Sequence, residues 1–245
     1  MIVAYLQTAK DRDAKQVVDA LLQLKPFNVT TLARDTALAA IPARYALERG
    51  HWDEAAQLSV RDSQFPAAQS ISYFARALGS ARSGNAAAAR AETAHLDEIE
   101  AKLAAAKDDY WAGQTRIQKQ AAMAWVMFSE GQRDSAIAAM RKAADLDDAS
   151  EKNVAMENKL VPIRELLGEL YLAAGMNKEA LVEFEASDKV MPNRFQTLAG
   201  AARAARESGS VDATKRYYRA LTALAAGGDG DRPEVSEARS YLAHN

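Results

Sequence analysis

Three histidines, His51, His95 and His244, are the first residues in this chain to test for chemistry. They fall in a turn, in a long helical stretch and at the C-terminal end, with no metal-ligand spacing between any two. With no second ligand beside any of them, each reads as a structural or solvent-facing imidazole. The run Gly227 to Asp231, GGDGD, resembles a calcium loop only in composition. It lacks the regular ligand spacing and the terminal Glu, so it reads as a flexible linker. Asp108-Asp109 and Asp147-Asp148 stand at the edges of helical stretches, where carboxylates are expected as caps. The sequon Asn28-Val29-Thr30 runs into Thr31, and one of the two threonines is expected to cap the next helix. The chain has no cysteine, which excludes disulfides, thiolate metal sites and a cysteine nucleophile. No glycine-rich phosphate loop follows a strand, and no pair of carboxylates stands in a recognisable catalytic motif. Neither catalysis nor a cofactor or metal is expected.

The elements that carry these residues are helical by composition. Alanine makes up about a fifth of the 245 residues, while Gly and Pro number only 12 and 6. Alanine loses no side-chain entropy in a helix, so such a chain leans to an all-helical fold. The 31 basic and 33 acidic residues leave a net charge of -2, and no long-range field favours nucleic acid or an anionic membrane. No apolar run approaches the roughly 18 residues of a membrane span. The opening, MIVAYLQTAKDRDAKQ, becomes charged too soon for a secretory signal. Cytoplasm and periplasm stay equally open.

The stretch from Glu165 to Pro192, ELLGELYLAAGMNKEALVEFEASDKVMP, shows how these helices pair. Leu167, Gly168 and Tyr171 share one side of a first helix, and Gly175 ends it in the left-handed conformation that glycine adopts cheaply. Ala180 and Phe184 are four apart on a second helix that faces back across the turn. Gly168 and Ala180 are small where two backbones approach, Tyr171 and Phe184 fill the space beside them, and Pro192 ends the second helix. This pattern, L-G-x2-Y…A-x3-F…P, resembles the tetratricopeptide repeat, with Arg164 where the family usually has Trp. The phrases IPARYALERGHWDEAA and RELLGELYLAAG also resemble bacterial proteins that carry such arrays.

One hairpin cannot bury its own apolar face, so neighbours are required. A Gly or small residue five positions before an Ala recurs at Ala9/Ala14, Gly50/Ala55, Gly84/Ala89, Gly131/Ala136 and Gly175/Ala180. A sixth unit turns at Gly209, with either Ala213 or Thr214 at the small position. The resemblance implies a right-handed α-solenoid over residues 1–245, read as one domain. Its parts are a half repeat at 1–28, repeats at about 30–63, 67–107, 109–148, 161–193 and 195–226, and a capping helix at 233–243. Residues 1–28 align with the second half of a repeat, ending at Pro26. Leu6, Val17, Val18 and Leu21 would then be partly open, which implies self-association or fraying unless the segment turns inward onto the second repeat.

In the family the first helix of each repeat lines a concave groove. Carrying over the groove positions gives Arg44 and Leu47, Phe74 and Leu78, Trp125 and Phe128, Glu165 and Glu169, and Arg203 and Arg206. Trp125 and Phe128 read either as groove anchors or as packing against the long neighbouring helix. The family implies a protein-interaction module that binds a peptide or helix. The rival readings are a structural, self-associating array and, more remotely, an all-helical enzyme.

Overall fold

The computed structural model describes residues 1–24, 30–150 and 159–244. Pro26, the sequon residues Asn28 and Val29, and residues 151–158 of the long loop before Pro162 lie outside them. Among the described residues there are thirteen helices and no strand. They divide into two compact units, residues 23–163 and residues 1–22 with 164–245.

In order, the N-terminal hairpin is α1 (Ile2–Gln7) and α2 (Asp11–Leu22). The unit of residues 23–163 holds α3 (Leu32–Leu47), α4 (Trp52–Ala56), α5 (Pro66–Arg82), α6 (Ala86–Ala105), α7 (Asp109–Ser129) and α8 (Arg133–Ala149). The remaining helices are α9 (Ile163–Ala173), α10 (Asn177–Val190), α11 (Phe195–Glu207), α12 (Val211–Leu224) and α13 (Pro233–His244). Thr31 caps α3 by accepting from the Arg34 N–H at 3.3 Å, and Asp108 caps α7 by accepting from Trp111 at 3.2 Å. Asp147 is not a cap. It sits in the last turn of α8, where a carboxylate opposes the helix dipole, and is held there by Lys159 at 2.5 Å.

One turn occurs seven times among the described residues. After α3 the Gly50 N–H donates to the Leu47 carbonyl, His51 N–H to Ala46, and Ala55 N–H to His51, each at 3.0 Å. The same three bonds recur around Ala9, Gly84, Lys107, Gly131, Gly175 and Gly209. All seven pivots have positive φ, between 55° and 82°. The first two bonds close the preceding helix in a Schellman arrangement, and the third starts the next helix at once. Ala9 and Lys107 adopt this conformation without being glycine. Five residues beyond each pivot stand Ala14, Ala55, Ala89, Ala112, Ala136, Ala180 and Thr214, all buried. Thr214 therefore takes the small position in the last hairpin, while Ala213 is only half-buried.

Small residues set how closely the helices approach. A Cβ on Gly79 of α5 would lie 2.4 Å from the Ala56 backbone nitrogen, so α5 lies directly on the end of α4. In the same unit Ile99 and Leu103 of α6 and Trp111 and Ala112 of α7 form a core with Ala67 of α5.

In the unit of residues 1–22 and 164–245 the N-terminal hairpin docks on C-terminal elements. The Asp229 N–H donates to the Ala9 carbonyl at 2.9 Å, and the Asp229 carboxylate accepts from the Arg12 N–H at 2.7 Å, at the start of α2. Arg232 pairs with Asp11 through two hydrogen bonds of 2.9 and 2.6 Å, and its guanidinium lies 4.3 Å from the centre of the Phe195 ring. The Gln7 side-chain oxygen accepts from the Phe195 N–H at 2.6 Å. Leu6 is fully buried and Val18 and Leu21 are buried, with Val17 half-buried. The open apolar patch expected on this hairpin is thus covered within the unit. The reason is non-local, because the elements it meets follow it by some 190 to 220 residues.

Candidate interaction surface

Each turn fixes the residues beside its pivot, and in the unit of residues 23–163 side chains flanking the Gly50, Gly84 and Gly131 pivots come close together. Arg82 stands two residues before Gly84, Trp52 two after Gly50, and Phe128 three before Gly131. The Arg82 guanidinium lies 4.1 Å from the centre of the Trp52 ring and 4.0 Å from that of Trp125. A cation close to two indoles gains electrostatic attraction from both, about 0.5–2 kcal/mol for each contact. Trp125 in turn meets Phe128 edge-on, with ring centres 5.8 Å apart. Trp52, Arg82 and Phe128 are half-buried, whereas Trp125 is only 4% exposed.

Ion pairs also flank these pivots. Arg49 lies 4.1 Å over the Tyr45 ring and donates to Glu54 at 3.1 Å. His51 shares a 2.8 Å hydrogen bond with the same carboxylate. Burial pulls the Glu54 carboxyl up, but the His51 hydrogen bond and the charge of Arg49 outweigh it and hold the group below its ordinary value. Arg90 of α6 clasps Glu130, beside the Gly131 pivot, with two bonds of 2.8 and 2.6 Å. The Arg90 hydrogen bond and charge lower the Glu130 carboxyl.

The structure does not bring the groove positions carried over from the family together as one exposed set. Phe74 and Leu78 are 1% exposed and Leu47 3%, so all three belong to the core. Trp125 packs under Arg82, and its indole nitrogen is buried with no hydrogen-bond partner. Glu165 is 1% exposed and accepts from the Arg194 guanidinium at 3.0 and 3.1 Å and from the Thr197 hydroxyl. A buried carboxylate so occupied is a structural clamp between α9 and the start of α11. Arg44 is half-buried and donates to the Lys159 carbonyl at 3.0 Å. Phe128 and Glu169 remain half-buried, and Arg203 is exposed. Arg206 is exposed but engaged by Glu207 and Glu237.

The helical spacing placed these residues on the inner side of a first helix but could not tell inner from open. Arg82 and Trp52 were missed. The signal that finds them is proximity to the pivots of neighbouring hairpins, a position the groove pattern does not include.

The histidines are accounted for locally. His95 stacks on Tyr73 with ring centres 4.5 Å apart, and His244 hydrogen-bonds the Ser240 carbonyl at 2.7 Å. Among the described residues no group of three or more His, Cys, Asp or Glu could hold a metal, and no helix is long and apolar enough to cross a membrane. No known protein family and no curated protein matches the chain.

Proposed function

We infer that this chain is a helical-repeat protein of the tetratricopeptide type that holds a polypeptide partner and does no chemistry of its own. The observation that carries the reading is Arg82 seated between Trp52 and Trp125. The stack fixes the plane of the guanidinium, so the cation is ordered before any partner arrives. Arginine and tryptophan dominate the energetics of protein interfaces because they combine large area with directional bonds. Pre-ordering them reduces the entropy lost on binding. The repeated turn supports the same reading, since it holds the side chains beside Gly50, Gly84 and Gly131 in one cluster.

Selection of short peptides from a display library against the full chain provides ligands for the test. Trp52→Ala and Arg82→Ala should each weaken the selected peptides at least tenfold while both variants stay folded, with only a modest fall in melting temperature. Peptides that bind both variants as well as the parent would place recognition elsewhere. A library that yields no ligand would remove the reading.

A further inference from the structure

α7 contains a glycine for which its own helix gives no reason. Of the helical glycines, Gly79, Gly168 and Gly200 each have a neighbour at or within 3.0 Å of where a Cβ would stand. Gly113 has nothing within 4 Å, and its φ is not positive. A glycine inside a helix costs roughly 1 kcal/mol relative to alanine, so an unforced one calls for another explanation. The space beside Gly113 is a depression of about 410 Å³ between the start of α7 and the end of α8. That volume is within the range of small-ligand pockets.

The lining has a definite chemistry. Tyr110, Ile117 and Leu146 supply apolar walls, and Gln114 supplies the polar group. Gln114 is only 8% exposed, and its amide makes no hydrogen bond among the described residues. One turn further along the same helix face, Gln118 is 7% exposed, and its carbonyl oxygen is buried without a partner. Buried amides are ordinarily satisfied, and the Gln118 oxygen departs from that rule, while the Gln114 amide lines the depression and is open to a ligand. The charges at the rim are of opposite sign, Asp109 and Arg116, and Arg116 is already held by Glu100 at 2.6 Å. With Arg116 occupied, no cation at the rim is left to favour an anionic ligand.

We propose that this depression takes one apolar side chain of a bound polypeptide, with the adjoining peptide amide hydrogen-bonded by Gln114. A glutamine side chain offers one acceptor and a donor pair, the complement of a peptide N–H and C=O. Gly113 is then the opening through which that backbone approaches α7. The proposal rests on the polypeptide-binding reading above and adds a second subsite to it.

The probe is N-acetyl-L-leucinamide, titrated into the full chain while the side-chain amide resonances of Gln114 and Gln118 are followed by NMR. Saturable shifts at Gln114 are expected. Gly113→Leu should abolish them, and Gln114→Leu should weaken the probe at least tenfold. Gly113→Ala, which adds a single methyl, serves the same purpose if the leucine variant misfolds. Cyclohexanol, apolar but without an amide, should bind more weakly than the capped leucine and be indifferent to Gln114→Leu. Absence of a saturable shift, or shifts that persist in folded Gly113→Leu, would overturn the proposal. Equal binding of cyclohexanol and the capped leucine would overturn it too, leaving an unspecific apolar hollow. Library peptides that lose affinity in Arg82→Ala while the capped leucine never shifts Gln114 would sink this subsite alone. A probe that binds at Gln114 when no library peptide responds to Arg82→Ala would sink the Arg82 reading and leave the subsite.

Discussion

Phe184 of α10 is held between two glycines on neighbouring helices. A Cβ on Gly200 of α11 would lie 2.3 Å from its ring, and one on Gly168 of α9 would lie 3.0 Å away. The ring is fully buried and cannot retreat from one without meeting the other. Gly200→Ala should therefore destabilise the protein by about 1–3 kcal/mol through overpacking, despite the roughly 1 kcal/mol that alanine gains in a helix. Gly168→Ala should cost less. Denaturant midpoints measure both, and pairing Gly200→Ala with Phe184→Leu should cost less than the sum of the two. A neutral Gly200→Ala would mean that α10 and α11 are not in this register.

Gly113→Ala should do the opposite. With nothing within 4 Å of the new methyl, only the helix term remains, and the variant should be more stable by about 0.5–1 kcal/mol. Thermal unfolding beside Gly200→Ala gives the contrast directly. A destabilised Gly113→Ala would show that the depression beside α7 is filled.

The N-terminal hairpin is tied down by Arg232, which is 5% exposed and paired with Asp11. Asp11→Asn leaves the guanidinium buried without its counter-charge and should cost about 1–3 kcal/mol. Hydrogen exchange should show the loss concentrated in residues 1–22 and 225–235. Unchanged protection there would remove the role given to this clasp.

Acid should loosen the contact between α6 and α7 through Glu100. Burial raises this carboxyl, but Lys119 at 2.8 Å and Arg116 at 2.6 Å lower it further than burial raises it. A carboxyl lowered in the folded state adds stability above its unfolded value and loses it as pH falls through the folded one. Arg116 is half exposed, so solvent screening keeps the contribution under about 1 kcal/mol. Glu100→Gln should be slightly less stable than the parent near neutral pH and should match it once the pH has fallen below the lowered folded-state value. Parallel acid limbs for the two proteins would contradict the assignment.

Trp125→Ala should lower the melting temperature markedly, and Trp52→Ala much less. Trp125 is 4% exposed beneath Arg82, and removing a buried indole typically costs about 3–5 kcal/mol. Circular dichroism melts of the two variants separate a supporting ring from a surface one.

The amino-acid sequence alone determined the helices and their pairing. A left-handed pivot, two bonds closing one helix and one opening the next are contained within about ten residues. Gly50, Gly84, Gly131, Gly175 and Gly209 therefore announce their turns, and the buried small residue five positions on, alanine in the first four and Thr214 in the last, follows from each. Tertiary structure decided whatever depends on distant neighbours. That Glu165 is sealed by Arg194 and Thr197, and that Phe74 and Leu78 are core, follows from which helix covers which face. Helical periodicity gives the side of a helix a residue occupies, but exposure is set by what lies against that side. For Ala9, docked against Asp229 of the far C-terminal loop, the partner lies 220 residues away, beyond the reach of any local pattern.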